Sequence, residues 1–223
     1  PYIMKPYKSI VLGLFFLFIS ASIFSQTLNY TAAESFLDDS QVQLLEKAEK
    51  FIERAESSIS KASEIEDKFE KFKSKKKKKY DKKTWEAKKF RIEAERNYLK
   101  AYQDATEVYA QVIKDATFYD DGDRSEAMAL NDDALDNIEQ AESKMKSYNN
   151  SLMDKKALQK MSSSSVNSAI RTSRDYKESA LDKQKEALDL VLGQEEKRLE
   201  DEADDRAWQT AQDINTIASY QDY

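Results

Sequence analysis

Ala48-Glu-Lys-Phe-Ile-Glu-Arg-Ala-Glu-Ser-Ser-Ile-Ser-Lys-Ala62 decides the fold. Ala48, Ile52, Ala55, Ile59 and Ala62 step by 4, 3, 4 and 3. Ile65, Phe69 and Phe72 continue the stripe. Apolar residues at that spacing lie along one face of an α-helix and on no face of a strand. The pattern predicts a helix from about Ser40 to Lys75, with Asp38, Asp39 or Ser40 available to cap its start. At 1.5 Å per residue such a helix is ~50 Å long.

The same period runs outward from there. A second helix is expected from about Asp81 to Thr117, with Trp85, Ile92, Leu99, Tyr102, Val108, Tyr109, Val112 and Ile113 on its stripe. Ala87, Ala94, Ala101 and Ala105 flank that stripe and allow a neighbour to approach closely. Phe118-Tyr-Asp-Asp-Gly-Asp123 is a turn signal. Asp123-Arg-Ser-Glu126 then reads as a capping box opening a third helix, about Arg124 to Tyr148. Asn149-Asn-Ser151 reads as a tight turn, followed by a fourth helix to about Leu192. The Ser162–Ser165 run within it is weak helix. Gly193 is expected to end it, with a fifth helix from about Gln194 to Ser219. Both prolines, Pro1 and Pro6, lie at the N-terminus, so no proline interrupts any of these segments. A proline in a helix interior costs about 3 kcal/mol, so the lack is itself a helical signal.

Two long helical hairpins are suggested by an internal repeat. Ile52-Glu-Arg-Ala-Glu-Ser57 recurs as Ile138-Glu-Gln-Ala-Glu-Ser143. Leu44 aligns with Leu130, Ala48 with Ala134, and Ile59 with Met145. Further on, Asp81-Lys-Lys83 recurs as Asp154-Lys-Lys156, and Tyr102-Gln-Asp-Ala-Thr106 matches Tyr176-Lys-Glu-Ser-Ala180. The second set has the shorter offset, so the first copy is longer at its tip. Neither hairpin can bury its stripe alone. The expected fold is all-α: an elongated antiparallel helical bundle of two duplicated hairpins with a C-terminal fifth helix alongside. A short α-solenoid is the alternative. Tyr102-Gln-Asp-Ala-Thr-Glu-Val-Tyr-Ala110 resembles a tetratricopeptide helix, but that family's period of about 34 residues is absent.

Composition excludes much chemistry. The 223 residues include no Cys, no His and three Gly. Disulfides, Cys/His zinc sites, Ser-His-Asp triads and Glu-x-x-His di-iron sites cannot be built from them. Three scattered glycines do not make a phosphate-binding loop. Asp120, Asp121, Asp123 and Glu126 suggest calcium, but with Gly122 as the sixth loop residue the first and last ligands would be Thr117 and Met128. Helix capping is the better reading. No catalytic residue, cofactor or metal is expected, and the chain reads as a non-enzyme.

The N-terminus reads as an address. Lys5 and Lys8 precede the apolar run Ile10–Ile19, and Ser20-Ala-Ser-Ile-Phe-Ser-Gln26 follows. A basic start, a short apolar run and a small-residue exit describe a secretory signal peptide. The run is short of the ~20 apolar residues that a membrane span needs. The expected organisation is a leader at 1–25, cleaved after Ser25, and an irregular lead-in at 26–39. Hairpin one with a basic tip spans 40–122, hairpin two 123–193, and an acidic C-terminal helix 194–223, with 40–223 one structural domain. A leader ending in Phe-Ser-Gln resembles those of exported Bacteroidota proteins. The expected location is the periplasm or the outside of a Gram-negative cell.

Charge marks the candidate site. Twelve basic residues crowd the tip of hairpin one: Lys71, Lys73, Lys75, Lys76, Lys77, Lys78, Lys79, Lys82, Lys83, Lys88, Lys89 and Arg91. Only Asp81 and Glu86 oppose them, in a chain whose net charge is −6. An acidic run, Glu195, Glu196, Glu200, Asp201, Glu202, Asp204 and Asp205, sits near the C-terminus. Such a tip suits an anionic membrane surface or an acidic face of an envelope protein. The acidic run could also meet the tip of a second copy, giving self-association. The leader argues against nucleic acid. A leader with long hairpins and Lys-rich arms resembles Skp-type periplasmic chaperones, and the resemblance implies a holdase for unfolded outer-membrane proteins. This chain departs from that family in being acidic and in showing no strand pattern. The first expectation is therefore an envelope scaffold, adaptor or spacer.

Overall fold

The computed structural model describes Leu28 and residues 30–214. The expected leader lies outside the described residues, as does the expected C-terminal helix beyond Ile214. A 3-10 turn at Thr31–Phe36 precedes six α-helices. They are α1 (Asp39–Phe69), α2 (Lys77–Lys83), α3 (Trp85–Asp115), α4 (Asp121–Asn149), α5 (Lys155–Lys160) and α6 (Ser163–Ile214). A second 3-10 turn, Glu70–Phe72, closes α1. Among the described residues there is no strand. The protein is an all-α helical bundle.

Helix α3 is its centre. It pairs with α1 and also lies against both α4 and α6, which pair with each other. The alanine flanks make this possible. Ala87, Ala94, Ala101 and Ala105 are buried together with Ile92, Leu99, Val108, Tyr109, Val112 and Ile113. Small side chains on one strip and large ones on the next let a single helix meet three neighbours. Helix α1 packs chiefly on α3, so it buries only Leu45, Ala48, Ala55 and Ala62 fully. Of the positions that the sequence repeat aligns, Ala48 and Ala134 are both buried, as are Ala55 and Ala141, whereas Ile52 and Ile59 are half-buried and Ile138 and Met145 buried.

Two apolar clusters anchor the ends. One gathers Leu45, Val108, Tyr109, Ile113, Leu181, Leu188 and their neighbours. The other joins Ile92, Met145, Leu152, Leu158 and Val166, with Trp85 and Met161 packed against it. Polar groups are buried between the hairpins. Lys177 donates to Glu95 at 2.6 Å, and Gln184 donates to Thr106 O at 2.8 Å.

Several boundaries differ from the expected ones, each for a local reason. Gly193 does not end a helix: α6 runs through it for 52 residues, ~78 Å. Its single penalty of about 1 kcal/mol is small beside the ladder on either side. The following residue also ties α6 to the α3–α4 turn. Gln194 accepts from Tyr119 N at 2.9 Å and donates to Asp123 at 2.7 Å. The acidic stretch is thus a continuation of α6, not a fifth helix laid alongside. Helix α4 is capped by Asp120 rather than Asp123, through Gly122 N at 2.7 Å and Asp123 N at 3.0 Å. A Cβ on Gly122 would stand 2.8 Å from Asp120 Oδ1, so the glycine leaves room for this cap.

The expected second helix is broken at Thr84, whose hydroxyl donates to Tyr80 O at 2.8 Å and whose ψ of 21° leaves the helical range. The Ser162–Ser165 run starts α6 instead of weakening a longer helix, with Ser162 Oγ accepting from Ser165 N at 3.0 Å. The described part of the lead-in carries the 3-10 turn Thr31–Phe36 and packs on the bundle. Leu28 and Ala33 are buried, and the Tyr109 hydroxyl donates to Leu28 O at 2.6 Å while accepting from Tyr30 N at 2.8 Å.

Candidate functional site: a cationic end

The basic residues sit where hairpin one turns, on the segment from Lys71 through α2 into the first turns of α3. The structure brings the tip of hairpin two beside them, because α2 lies against α5 and α5 also touches α3. Leu152 and Leu158 drive that docking. Both are buried in the cluster that contains Ile92.

Three of the twelve cations belong to the framework. Lys88 is 1% exposed, and its ammonium donates to Asp81 O at 2.7 Å and Met161 O at 2.6 Å. It joins α2 to the end of α5. Burial lowers its pKa, which the nearby Asp81 carboxylate partly offsets. Arg91 makes a bidentate pair with Glu66, at 2.6 and 2.5 Å, which raises its pKa and ties α3 to α1. Lys89 is half-buried and pairs with Glu93 at 3.4 Å.

The other nine are exposed: Lys71, Lys73, Lys75, Lys76, Lys77, Lys78, Lys79, Lys82 and Lys83. Lys73 pairs with Glu70 at 3.3 Å in a solvated contact of little worth. Lys71 and Lys79 lie over the Phe72 ring, 5.4 and 4.6 Å from its centre. Asp81, one of two acids within the run, is spent elsewhere. Its Oδ1 accepts from Ser163 N at 2.8 Å and Ser163 Oγ at 2.9 Å, fixing the start of α6.

The sequence reading missed the second tip's share of this end. Lys155, Lys156 and Lys160 of α5 are exposed beside α2. Lys155 sits 4.7 Å from the centre of the Trp85 ring. A signal was available: Asp154-Lys155-Lys156 has the same residues as Asp81-Lys82-Lys83, and both triplets fall at a hairpin tip. Between the tips lies a cleft of about 420 Å³ lined by Lys79, Lys82, Lys83, Trp85, Lys155 and Gln159. No carboxylate lines it.

Other clefts differ in kind. One between α3 and α4 sets Lys100 and Lys114 against Glu107 and Glu139, and one along α4 sets Lys146 against Glu139 and Glu142, so neither is cationic. Among the described residues, no cluster of three or more Asp or Glu could hold a metal. Among the same residues, no helix is long and apolar enough to cross a membrane. Fold and site together define an all-α protein with one end at which exposed lysines outnumber the exposed acids Glu70, Glu86 and Asp154. Compared with known proteins, the chain matches no family model, no curated protein and no solved structure.

Proposed function

We propose that this is a non-enzymatic exported helical protein, a scaffold or adaptor of the cell envelope that docks on anionic groups through its Lys-rich end. The observation that carries this reading is the excess of exposed lysines at this end. An acidic chain gathers exposed lysines from two hairpins at one place and commits the nearby acids Asp81 and Asp154 to helix starts. Helices of this length give reach, so the docking end stands away from the remaining surface. The leader supports export to an envelope whose lipids and proteins present acidic groups.

In-cell crosslinking in the native host, followed by purification and mass spectrometry, tests it against a variant with Lys75 to Lys79 changed to Gln. One or two near-stoichiometric envelope partners, lost in the variant, are expected. A broad spread of unfolded outer-membrane clients would instead make the protein a holdase.

A further inference from the structure

We infer that the cleft between the two hairpin tips is a binding site for clustered phosphate groups; this rests on the reading of the cationic end as the docking end. Four lysines line it, Lys79, Lys82 and Lys83 from hairpin one and Lys155 from hairpin two, with Gln159 beside them. None of the four has a carboxylate within ion-pair distance among the described residues. Two are oriented without being neutralised: Lys79 by the Phe72 ring and Lys155 by the Trp85 ring.

The frame behind them is firm. Tyr80 and Thr84 are buried, Lys88 bridges the two tips, and Asp81 holds the start of α6. Four like charges around one cleft repel one another, and a compact multivalent anion relieves all four at once. Phosphate fits that description better than a single carboxylate, since a phosphomonoester carries close to two charges on three oxygens. Lysine binds it as a point charge and demands no planar fork. Free polyphosphate and phosphate-rich lipid headgroups share this chemistry.

The test uses two probes on the purified chain: inorganic tripolyphosphate by calorimetry, and phosphatidylcholine vesicles containing cardiolipin by cosedimentation. Two variants carry the same change in charge. Lys83→Gln with Lys155→Gln alters the cleft, and Lys76→Gln with Lys77→Gln alters the exposed run outside it. All four side chains are exposed, and unchanged circular dichroism checks that the fold is kept. The cleft variant is expected to weaken binding about tenfold or more. The control is expected to weaken it under about threefold, as for a screened charge at a distance.

Tripolyphosphate binding with that ordering identifies free phosphate as a source, and vesicle binding with that ordering and no response to tripolyphosphate identifies headgroups. Equal losses in the two variants would overturn the cleft and leave a diffuse charged end. Binding of neither probe would overturn it too, while partner capture lost on changing Lys75 to Lys79 would leave the docking end standing.

Discussion

Lys88 and Met161 lie 73 residues apart in the chain, yet the Lys88 ammonium donates to the Met161 carbonyl at 2.6 Å. The same ammonium holds Asp81 O. A lysine inside a lysine run is therefore the pin that fastens one hairpin tip to the other. Lys88→Met removes charge-assisted bonds from two carbonyls and should cost about 1–3 kcal/mol. Urea unfolding reads the loss, and amide exchange should quicken around residues 81–84 and 161–164. An unchanged midpoint with unchanged exchange would show that the tips dock without it.

The buried pair of Glu95 and Lys177 makes a second prediction. Each side chain is 3% exposed, and the Lys177 ammonium also lies 5.2 and 5.4 Å from the Tyr98 and Tyr102 ring centres. Burial lowers the Lys177 pKa, and Glu95 works against that. Lys177→Met alone strands a buried carboxylate and should cost about 3–5 kcal/mol. Lys177→Met with Glu95→Leu should recover most of that, because apolar replacements of a buried pair are often neutral. A double variant as unstable as the single one would mean that the pair itself sets the register of α3 on α6.

The two described glycines should respond in opposite ways. Gly193 is exposed in mid-helix and a Cβ there meets nothing within 4 Å. Gly193→Ala should add about 0.5–1 kcal/mol of stability. Gly122→Ala puts its Cβ against the Asp120 carboxylate that caps α4, and losing such a cap costs about 0.5–2 kcal/mol. Thermal unfolding of both variants should shift in opposite directions. A gain in both would show that Asp120 moves aside freely.

Alkaline pH should unfold the protein through its tyrosines. Tyr80, Tyr98 and Tyr102 are each pushed up to about 12, with burial the largest cause and nearby carboxylates adding to it. An unfolded tyrosine ionises at about 10. Between those values the unfolded chain has released protons that the folded chain retains, so stability falls as pH rises. The contribution is whole below about 10 and lost by about 12. Lys88 and Lys177, whose pKa values are lowered, act in the opposite sense, and that gain is complete by about 10.4, the ordinary lysine value. Tyrosinate absorbance measured alongside unfolding checks the sign. Tyrosines titrating at their ordinary value in the folded chain would contradict it.

Much of this architecture is legible in residue spacing. The stripe through Ala48, Ala55 and Ala62 faces α3 as its period requires, and the alanines of α3 mark it as the helix with most neighbours. What escapes depends on partners far along the chain. Lys88 looks like its neighbours until its phase is noticed, four residues before Ile92 and four after Thr84, both buried. Lys177 and Gln184 occupy the buried face of α6, where hydrophobicity alone would place only apolar residues. Their acceptors lie on α3, about eighty residues away. Gly193 misleads because a local preference of about 1 kcal/mol yields to tertiary contacts. The cationic cleft is half legible: the Lys71–Arg91 run announces one wall, while Lys155 and Gln159 join it only when the hairpins pack.

Site-specific photo-crosslinking in the native host tests the docking end most directly. One crosslinking residue replaces Lys76 at the cationic end. Another replaces Glu200, on the stretch of α6 beyond Gln194, which meets the α3–α4 turn at the opposite end of the bundle. The expected result is that the same one or two envelope partners are captured from position 76, weakened by salt, and not from position 200. Capture of those partners from position 200 alone would contradict the docking role of the lysines.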